Sequence, residues 1–226
     1  MAAPAHDRPP ALPHAPAAAV GVLLAAGAST RLPPDKLALP LGGRTVLEGA
    51  LATLAGAPGV ADVVVVLPPG GAARWARLAA AHVHLVENPQ PAAGMIGSIR
   101  VGLSHPAAQG RDFLLLPADT PCVPAALAGS LLARLRAGGH AAVLPTYAGQ
   151  GGHPGAFAAA LAADFQRLGA REGAREVLAL HRARVLRLPV DEPAVAFDLD
   201  TPEDLPAAGD PALRRQRVEG RGPGTR

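Results

Sequence analysis

Three uninterrupted apolar runs organise the chain. Val20 to Ala26 stops at Gly27, Asp62 to Leu67 stops at Pro68-Pro69-Gly70, and Phe113 to Pro117 stops before Ala118-Asp119. Runs of this length without polar alternation suit strands buried on both faces of a parallel sheet. Weaker strand patterns cover His82 to Val86, Ala141 to Thr146, Arg184 to Val190 and Ala194 to Phe197. Helical spacing falls between them, over Thr45 to Ala55, Gly71 to Ala81, Met95 to Leu103, Pro124 to Ala137, Ala156 to Leu168 and Arg171 to His181. Thr45 followed by Glu48 three residues later is a capping-box pattern that starts the first of these. The alternation predicts a single α/β domain, a doubly wound and mostly parallel sheet with helices on both faces. In such sheets ligands bind beyond the carboxyl ends of the strands, so the residues after each run are where chemistry belongs.

Composition adds boundaries. Apolar residues make up 49% of the 226 residues but aromatics only 3%, so the core is expected to be built from Ala, Val and Leu. Residues 1–18 are Ala, Pro and His with little else, and 208–226 are rich in Arg; both read as disordered tails around a domain at 19–207. The segment from Ala208 carries five Arg against Asp210 and Glu219, which accounts for the whole net charge of +3. A neutral body with few aromatics argues against a nucleic-acid groove. Cys122 is the only cysteine, so no internal disulfide forms. No apolar run reaches a membrane span and no secretory pattern opens the chain, so the expected location is cytoplasmic and away from membranes. One count stands apart: of 21 basic residues, 20 are Arg and the other is Lys36. A compact ammonium on a mobile stem differs chemically from a guanidinium.

Candidate chemistry follows the strand ends. Small residues at Ala25-Ala26-Gly27 lead to Arg31 and Lys36, a loop that can cradle phosphate or serve as an ordinary turn with surface charges. It is neither a Walker loop nor a dinucleotide fingerprint. Asp119, between Pro117 and Pro121, is placed either to hold a hard cation or to cap a helix. Asp198 and Asp200 are two residues apart on an extended segment, so both carboxylates can face one site. Asp200 or Thr201 can cap the turn that follows, a task for which Asp198 is not needed, and a second cation ligand from this end would complete a site at Asp119. Asn88 opens a loop into a helix, and His153 sits in the glycine-rich loop Gly149 to Pro154. A lone His is more often structural than catalytic.

These segments together resemble the nucleotidyltransferases with a doubly wound fold. The opening LAAGASTR from Leu24 to Arg31, with Asp35-Lys36, carries that likeness. ENPQPAAGMIGSIRVGL (Glu87 to Leu103), PADTP (Pro117 to Pro121), GQGGHPGAF (Gly149 to Phe157) and DLDTPEDL (Asp198 to Leu205) are similar to the molybdenum cofactor cytidylyltransferase branch. The chain departs from the family at Leu32-Pro33-Pro34, where a glycine is usual, and at Gly169-Ala170, where the branch has a Gly-Asp pair. The resemblance implies that Leu24, Ala25, Ala26 and Gly27 contact the nucleotide, with Asn88, Gly94 and Ser98 lining the base and sugar pocket. It implies that Arg31 and Lys36 hold the triphosphate, that Lys36, Arg31 and Asp119 are catalytic, and that Asp119 and Asp198 ligate Mg²⁺, with Mn²⁺ as a substitute. Gly152, His153 and Pro154 would face the acceptor. Ala26, where guanylyltransferases tend to have Gly, resembles the cytidylyl type. The implied reaction moves CMP from CTP to molybdopterin, with a molybdoenzyme or its maturation chaperone as recipient of the product. Alternatives are another phosphorylated acceptor (a sugar phosphate or phospholactate), guanylyl transfer, a silent nucleotide-binding accessory protein, or nucleic-acid binding through the arginine tail.

Overall fold

A computed structural model describes residues 18–27, 36–169 and 172–220. In chain order the strands and helices are β1 (Ala19–Leu24), β2 (Pro40–Leu41), β3 (Arg44–Thr45), α1 (Val46–Ala55), β4 (Val60–Leu67), α2 (Gly71–Arg74), β5 (Val83–Glu87), α3 (Met95–Ser104), β6 (Phe113–Pro117), α4 (Ala125–Gly138), β7 (Ala142–Tyr147), β8 (Gln150–Gly151), β9 (Gly155–Phe157), α5 (Ala162–Arg167), α6 (Ala174–Leu180), β10 (Val185–Pro189), α7 (Leu205–Gly209) and α8 (Pro211–Gly220). The main sheet runs β10-β7-β9-β6-β1-β4-β5, with β8 paired to β7. β1, β4, β5 and β6 are parallel, as are β7 and β10, while β9 is antiparallel to both β6 and β7.

The period of two expected for strands decides which residues face which layer. Val63, Val65 and Leu67 of β4 join Leu23, Leu114 and Leu116 in one core cluster under α1 and α4. Val64 and Val66 join Val20, Val22, Phe113 and Leu115 in a second cluster under α3, α5 and α6. The uninterrupted apolar runs are thus strands packed on both faces, as expected from the sequence. Phe113, Phe157 and Phe165 concentrate much of the scarce aromatic content in this second layer, with ring centroids 5.3–6.0 Å apart. A Cβ on Gly102 would sit 2.5 Å from Val22 Cγ1, so glycine lets α3 lie close on β1. Thr45 and Glu48 form the capping box of α1.

Three expectations change. The helix expected from Ala156 does not start there: Ala156 and Phe157 belong to β9, wedged between β6 and β7, with Phe157 opposite both Phe113 and Ala142. Ala194 to Phe197 is not a strand. Glu192 accepts a hydrogen bond from the Ala194 amide at 3.0 Å and Pro193 fixes the first turn, so a short 3₁₀ turn forms over Pro193–Ala196. The segment 71–81 is broken, α2 giving way to a 3₁₀ turn at Ala76–Leu78.

The stretch 208–220 departs most from expectation. It is helical, as the end of α7 and the whole of α8, and Val218 is fully buried in a third cluster with Tyr147, Val195, Phe197 and Leu199. Two of its arginines pair with acids upstream of it, and a third lies near one. Arg215 pairs with Asp191 at 3.2 Å, Arg217 with Asp204 at 2.8 Å, and Arg214 reaches Glu192 at 4.0 Å. Charge counted within the segment alone hides these partners. Among the described residues no helix is long and apolar enough to cross a membrane.

Candidate active site

From β1 the chain winds to β4 and β5 on one side, then returns to place β6 on the other. The carboxyl ends of β1 and β6 lie side by side at this reversal, with Leu24 opposite Pro117. That is the topological switch point at which doubly wound sheets open a ligand crevice. The ladder runs past the strand ends: the Ala118 amide donates to Leu24 O at 3.0 Å and the Ala25 amide donates to Val66 O at 2.8 Å. Leu24 O and the Ala25 N–H are therefore engaged in the sheet. Gly27, the last described residue before Lys36, is exposed, and a Cβ there would meet nothing within 4 Å. Arg31 and the Leu32-Pro33-Pro34 departure lie outside the described residues.

Lys36 begins a 3₁₀ turn over Lys36–Ala38 and turns its ammonium into the crevice. Nζ donates to Asp119 Oδ2 at 3.2 Å and lies 3.5 Å from Asp200 Oδ1. The lysine side chain is 10% exposed, against 34% for Asp119 and 40% for Asp200. One buried ammonium thus stands behind two carboxylates that reach toward solvent, a trio with a net charge of −1.

Two segments far apart in sequence are fastened together here. The Leu199 amide donates to Asp119 O at 2.8 Å, and the Thr120 hydroxyl donates to Asp198 Oδ1 at 3.3 Å. Thr120 is fully buried. Asp119 and Asp198, the expected metal ligands, so belong to neighbouring segments. The assignment of Asp200 to capping does not hold. The cap is Asp204, whose Oδ2 accepts from the Asp200 amide at 3.0 Å, the Thr201 amide at 2.9 Å and the Thr201 hydroxyl at 3.1 Å. Its other oxygen takes Arg217 Nε at 2.8 Å, and the Asp204 side chain is fully buried. With the turn capped by Asp204, the Asp200 carboxylate is released toward Lys36. Sequence reading missed Asp204 and Arg217; only the two-residue spacing of Asp198 and Asp200 hinted at a shared site.

The expected base and sugar pocket is built on a pinned loop. The Asn88 amide extends the ladder to Leu67 O at 2.8 Å. Its side-chain Oδ1 accepts from the Gln90 amide at 2.9 Å, and Nδ2 donates to Ser98 Oγ at 3.2 Å. Asn88 and Ser98 are buried, so they fix the loop onto the first turns of α3. Gly94, at φ +81°, makes the entry into α3 that a side chain would strain. Ala26 packs in the same apolar cluster as Ile96 of α3.

Gly152, His153 and Pro154 form a strip against the 193–196 turn. The His153 amide donates to Val195 O at 2.7 Å, the Gly152 amide donates to Pro145 O at 2.9 Å, and the His153–Pro154 peptide is cis. A Cβ on Gly152 would lie 2.6 Å from Val195 O. The strip is therefore seated beside the segment that leads into Asp198. Among the described residues no group of three or more His, Cys, Asp or Glu could hold a metal ion, so a cation here would rest on fewer side-chain ligands.

The chain is similar to proteins of known activity. It is 32% identical over 205 residues to a phosphoenolpyruvate guanylyltransferase from Nocardia farcinica, covering 87% of this chain and 86% of that protein. A molybdenum cofactor guanylyltransferase from Acidiphilium cryptum is 38% identical over 113 residues, 49% of this chain and 55% of that one. Among solved structures, Rv0371c from Mycobacterium tuberculosis superposes with a TM-score of 0.69 at 28% identity, covering 90% of this chain and 98% of that chain. The same protein complexed with manganese gives 0.65 at 29%, covering 84% and 97%. A family model described as the MobA-like NTP transferase domain matches residues 21–187. With that match over most of its length, and with the crevice at the β1–β6 reversal, the chain belongs to the MobA-like NTP transferase family and is a nucleotidyltransferase.

Proposed function

We propose that this nucleotidyltransferase moves CMP from CTP onto the phosphate of molybdopterin and releases pyrophosphate. The observation that carries the transfer chemistry is Lys36 held between Asp119 and Asp200 at the switch point. In the reaction an acceptor phosphate oxygen forms a bond to the α-phosphorus, the bond from α-phosphorus to the β-bridging oxygen breaks, and pyrophosphate departs. The acceptor phosphate is ionised near pH 7, so no general base is needed. The chain's task is positioning and neutralisation of charge at phosphorus. An ammonium has three donors; with one bonded to Asp119 and Asp200 near as a counter-charge, Lys36 keeps donors for a phosphate oxygen and can swing from Asp119 toward the triphosphate. Arg31 is assigned a second contact to the phosphates.

The donor set fits a divalent cation. Asp119 and Asp200 supply hard, part-exposed oxygens with a net negative charge around Lys36, and Asp198 is fastened alongside through Thr120. Asp119 and Asp198 would hold Mg²⁺, or Mn²⁺, which a structure of the relative Rv0371c contains. Such an ion screens charge on the transferring phosphoryl group. Gly27 offers backbone at close range, the Asn88–Ser98 pin fixes the pocket wall, and the Gly152 to Pro154 strip faces the acceptor.

The base is argued from Ala26. Guanylyltransferases tend to carry Gly at this position, and here an Ala stands two residues beyond β1, buried in the apolar cluster that also holds Ile96. A second reading, GMP transfer, is favoured by the guanylyltransferase names of the relatives. The product would pass to a molybdoenzyme or its maturation chaperone. The test is pyrophosphate release with each of the four NTPs against molybdopterin, phosphoenolpyruvate and a sugar phosphate. CTP with molybdopterin should be fastest, and Asp119→Asn and Asp198→Asn should each abolish it. A preference for GTP overturns the cytidylyl assignment, and full activity of both Asn variants overturns the metal assignment.

A further inference from the structure

The β2–β3 hairpin, which follows Lys36, and the stretch that follows Asp119 also line a cavity of about 490 Å³. Its walls are α1 (Gly49, Thr53), the β2–β3 hairpin (Arg44), the stretch Pro121 to Val123 and the α7–α8 junction (Arg214). No Asp or Glu is among the described residues that line it. Its neutral donors are already used: the Thr53 hydroxyl donates to Val123 O at 2.6 Å, and Cys122 Sγ to Ala208 O at 3.3 Å. Recognition there falls to two guanidinium groups.

Both are under-partnered. The Arg214 side chain is nine-tenths buried, yet its Nε has no hydrogen-bond acceptor. Its Nη2 donates to Ala208 O at 2.8 Å, and Nη1 lies 4.0 Å from Glu192, beyond hydrogen-bonding range. Arg44 is exposed and has no acidic partner among the described residues. A buried guanidinium donor without a protein acceptor leaves room for an oxygen from outside the chain. Two guanidiniums lining a cavity without acids suit an oxyanion, the ligand class that guanidinium donors match best. The remaining lining is small or apolar, and the volume lies within the range of small-ligand sites.

The geometry points to a second ligand site in this cavity, one that takes a small organic anion headed by a phosphate or a carboxylate and held by Arg44 and Arg214. Its occupant touches the hairpin that follows Lys36 and the stretch that follows Asp119. It therefore bears on both partners of the active-site pair.

The test is calorimetric titration of the full chain with inorganic phosphate, and separately with succinate, at constant ionic strength. Wild type and Lys36→Ala should bind alike, because the active-site lysine is not part of the cavity. Arg44→Ala, an exposed change that leaves the core untouched, should weaken binding about 10-fold or more, and Arg214→Lys should do the same. Tighter phosphate binding assigns a phosphate ester, and tighter succinate binding a carboxylate. The site is overturned if Arg44→Ala and Arg214→Lys both bind like wild type, if Lys36→Ala alone removes binding, or if neither anion binds.

Discussion

The two rims of the sheet handle charge in opposite ways. At the amino-end rim Arg111, Asp62, Asp112 and Arg136 are closed off. Arg111 spends its guanidinium on Asp62 Oδ2 at 2.6 Å, Ala107 O at 2.9 Å and Ala19 O at 3.1 Å. Asp112, fully buried, takes Arg136 Nε at 2.9 Å and the Ala159 amide at 3.1 Å. At the carboxyl-end rim the contacts are looser, 3.2 and 3.5 Å from Lys36, and the carboxylates are a third or more exposed. Residues of the same types brace the fold at one rim and remain available to a ligand at the other. The difference lies in how many backbone groups consume them.

The largest effect should come from the open rim. Lys36→Arg keeps the charge but replaces a point charge on a mobile stem with a bulkier planar fork. It should bind CTP within several-fold of wild type yet lose turnover by ~100–1000-fold, the scale of one lost charged contact in a reaction site. The melting temperature should move little. The measurements are nucleotide affinity by calorimetry and the rate of pyrophosphate release; wild-type turnover would reduce Lys36 to a buried structural charge.

The closed rim should show the reverse. Asp112→Ala strips Arg136 and the Ala159 amide of their acceptor inside the core. The cost should be about 3 kcal/mol, the low end for breaking a buried pair, since Arg136 can still rehydrate. A urea titration reads it directly. Turnover per folded molecule should stay at the wild-type value, and a drop there would mean that the rims are coupled through the sheet.

Legibility in the sequence follows the same divide. β1, β4 and β6 were readable because strands buried on both faces leave unbroken apolar runs. The residues that follow them, Lys36 and Asp119, were readable because strand ends are where chemistry collects. β9 was not, since three residues become a strand only when β6 and β7 offer their edges, and that pairing spans about 40 positions of chain for Phe113 with Phe157. Ala194 to Phe197 misled because burial on every side also leaves an apolar run without a period. Asp204 and Arg217 escaped notice because an acid inside an acidic stretch and an arginine in a basic tail each have a bland solvated reading. Only the fold shows them meeting.

That pair links the rims' two habits: a closed contact supporting an open one. Arg217→Ala leaves the buried Asp204 without its charged partner and loosens the turn that aims Asp200 at Lys36. Because Arg217 is itself partly exposed, the loss of stability should be about 1.5 kcal/mol, the lower end for a charged hydrogen bond. Turnover should fall roughly tenfold with little change in KM, short of the ~100-fold that a full 1 Å misplacement costs. Arg217→Lys should restore part of both. If stability falls and turnover does not, Asp204 is a cap and nothing more.

The smallest effect sharpens the closed rim itself. The His105 ring lies tilted against that of His84 with centroids 4.7 Å apart, its Nδ1 accepts the Ala107 amide at 3.2 Å, and His84 in turn meets Asp62 at 3.0 Å. Burial, helped by the charge of His84, pushes the His105 pKa below its ordinary 6.5. Hydrogen bonds from Arg111 and then His84 hold Asp62 below its ordinary 3.8. As pH falls below 6.5, an unfolded His105 takes up a proton that the folded one resists, so the folded state loses stability. Asp62 adds a second loss only below 3.8, where the unfolded carboxylate is protonated first. His105→Asn keeps a capping acceptor for Ala107 but cannot titrate. Urea midpoints for this variant should lose their slope between about pH 5 and 7 while keeping the decline at more acid pH. Turnover, set at the other rim, should show the wild-type pH profile. An unchanged slope in His105→Asn would place the sensitivity on another group and leave the His84–His105 ring contact without a part in it.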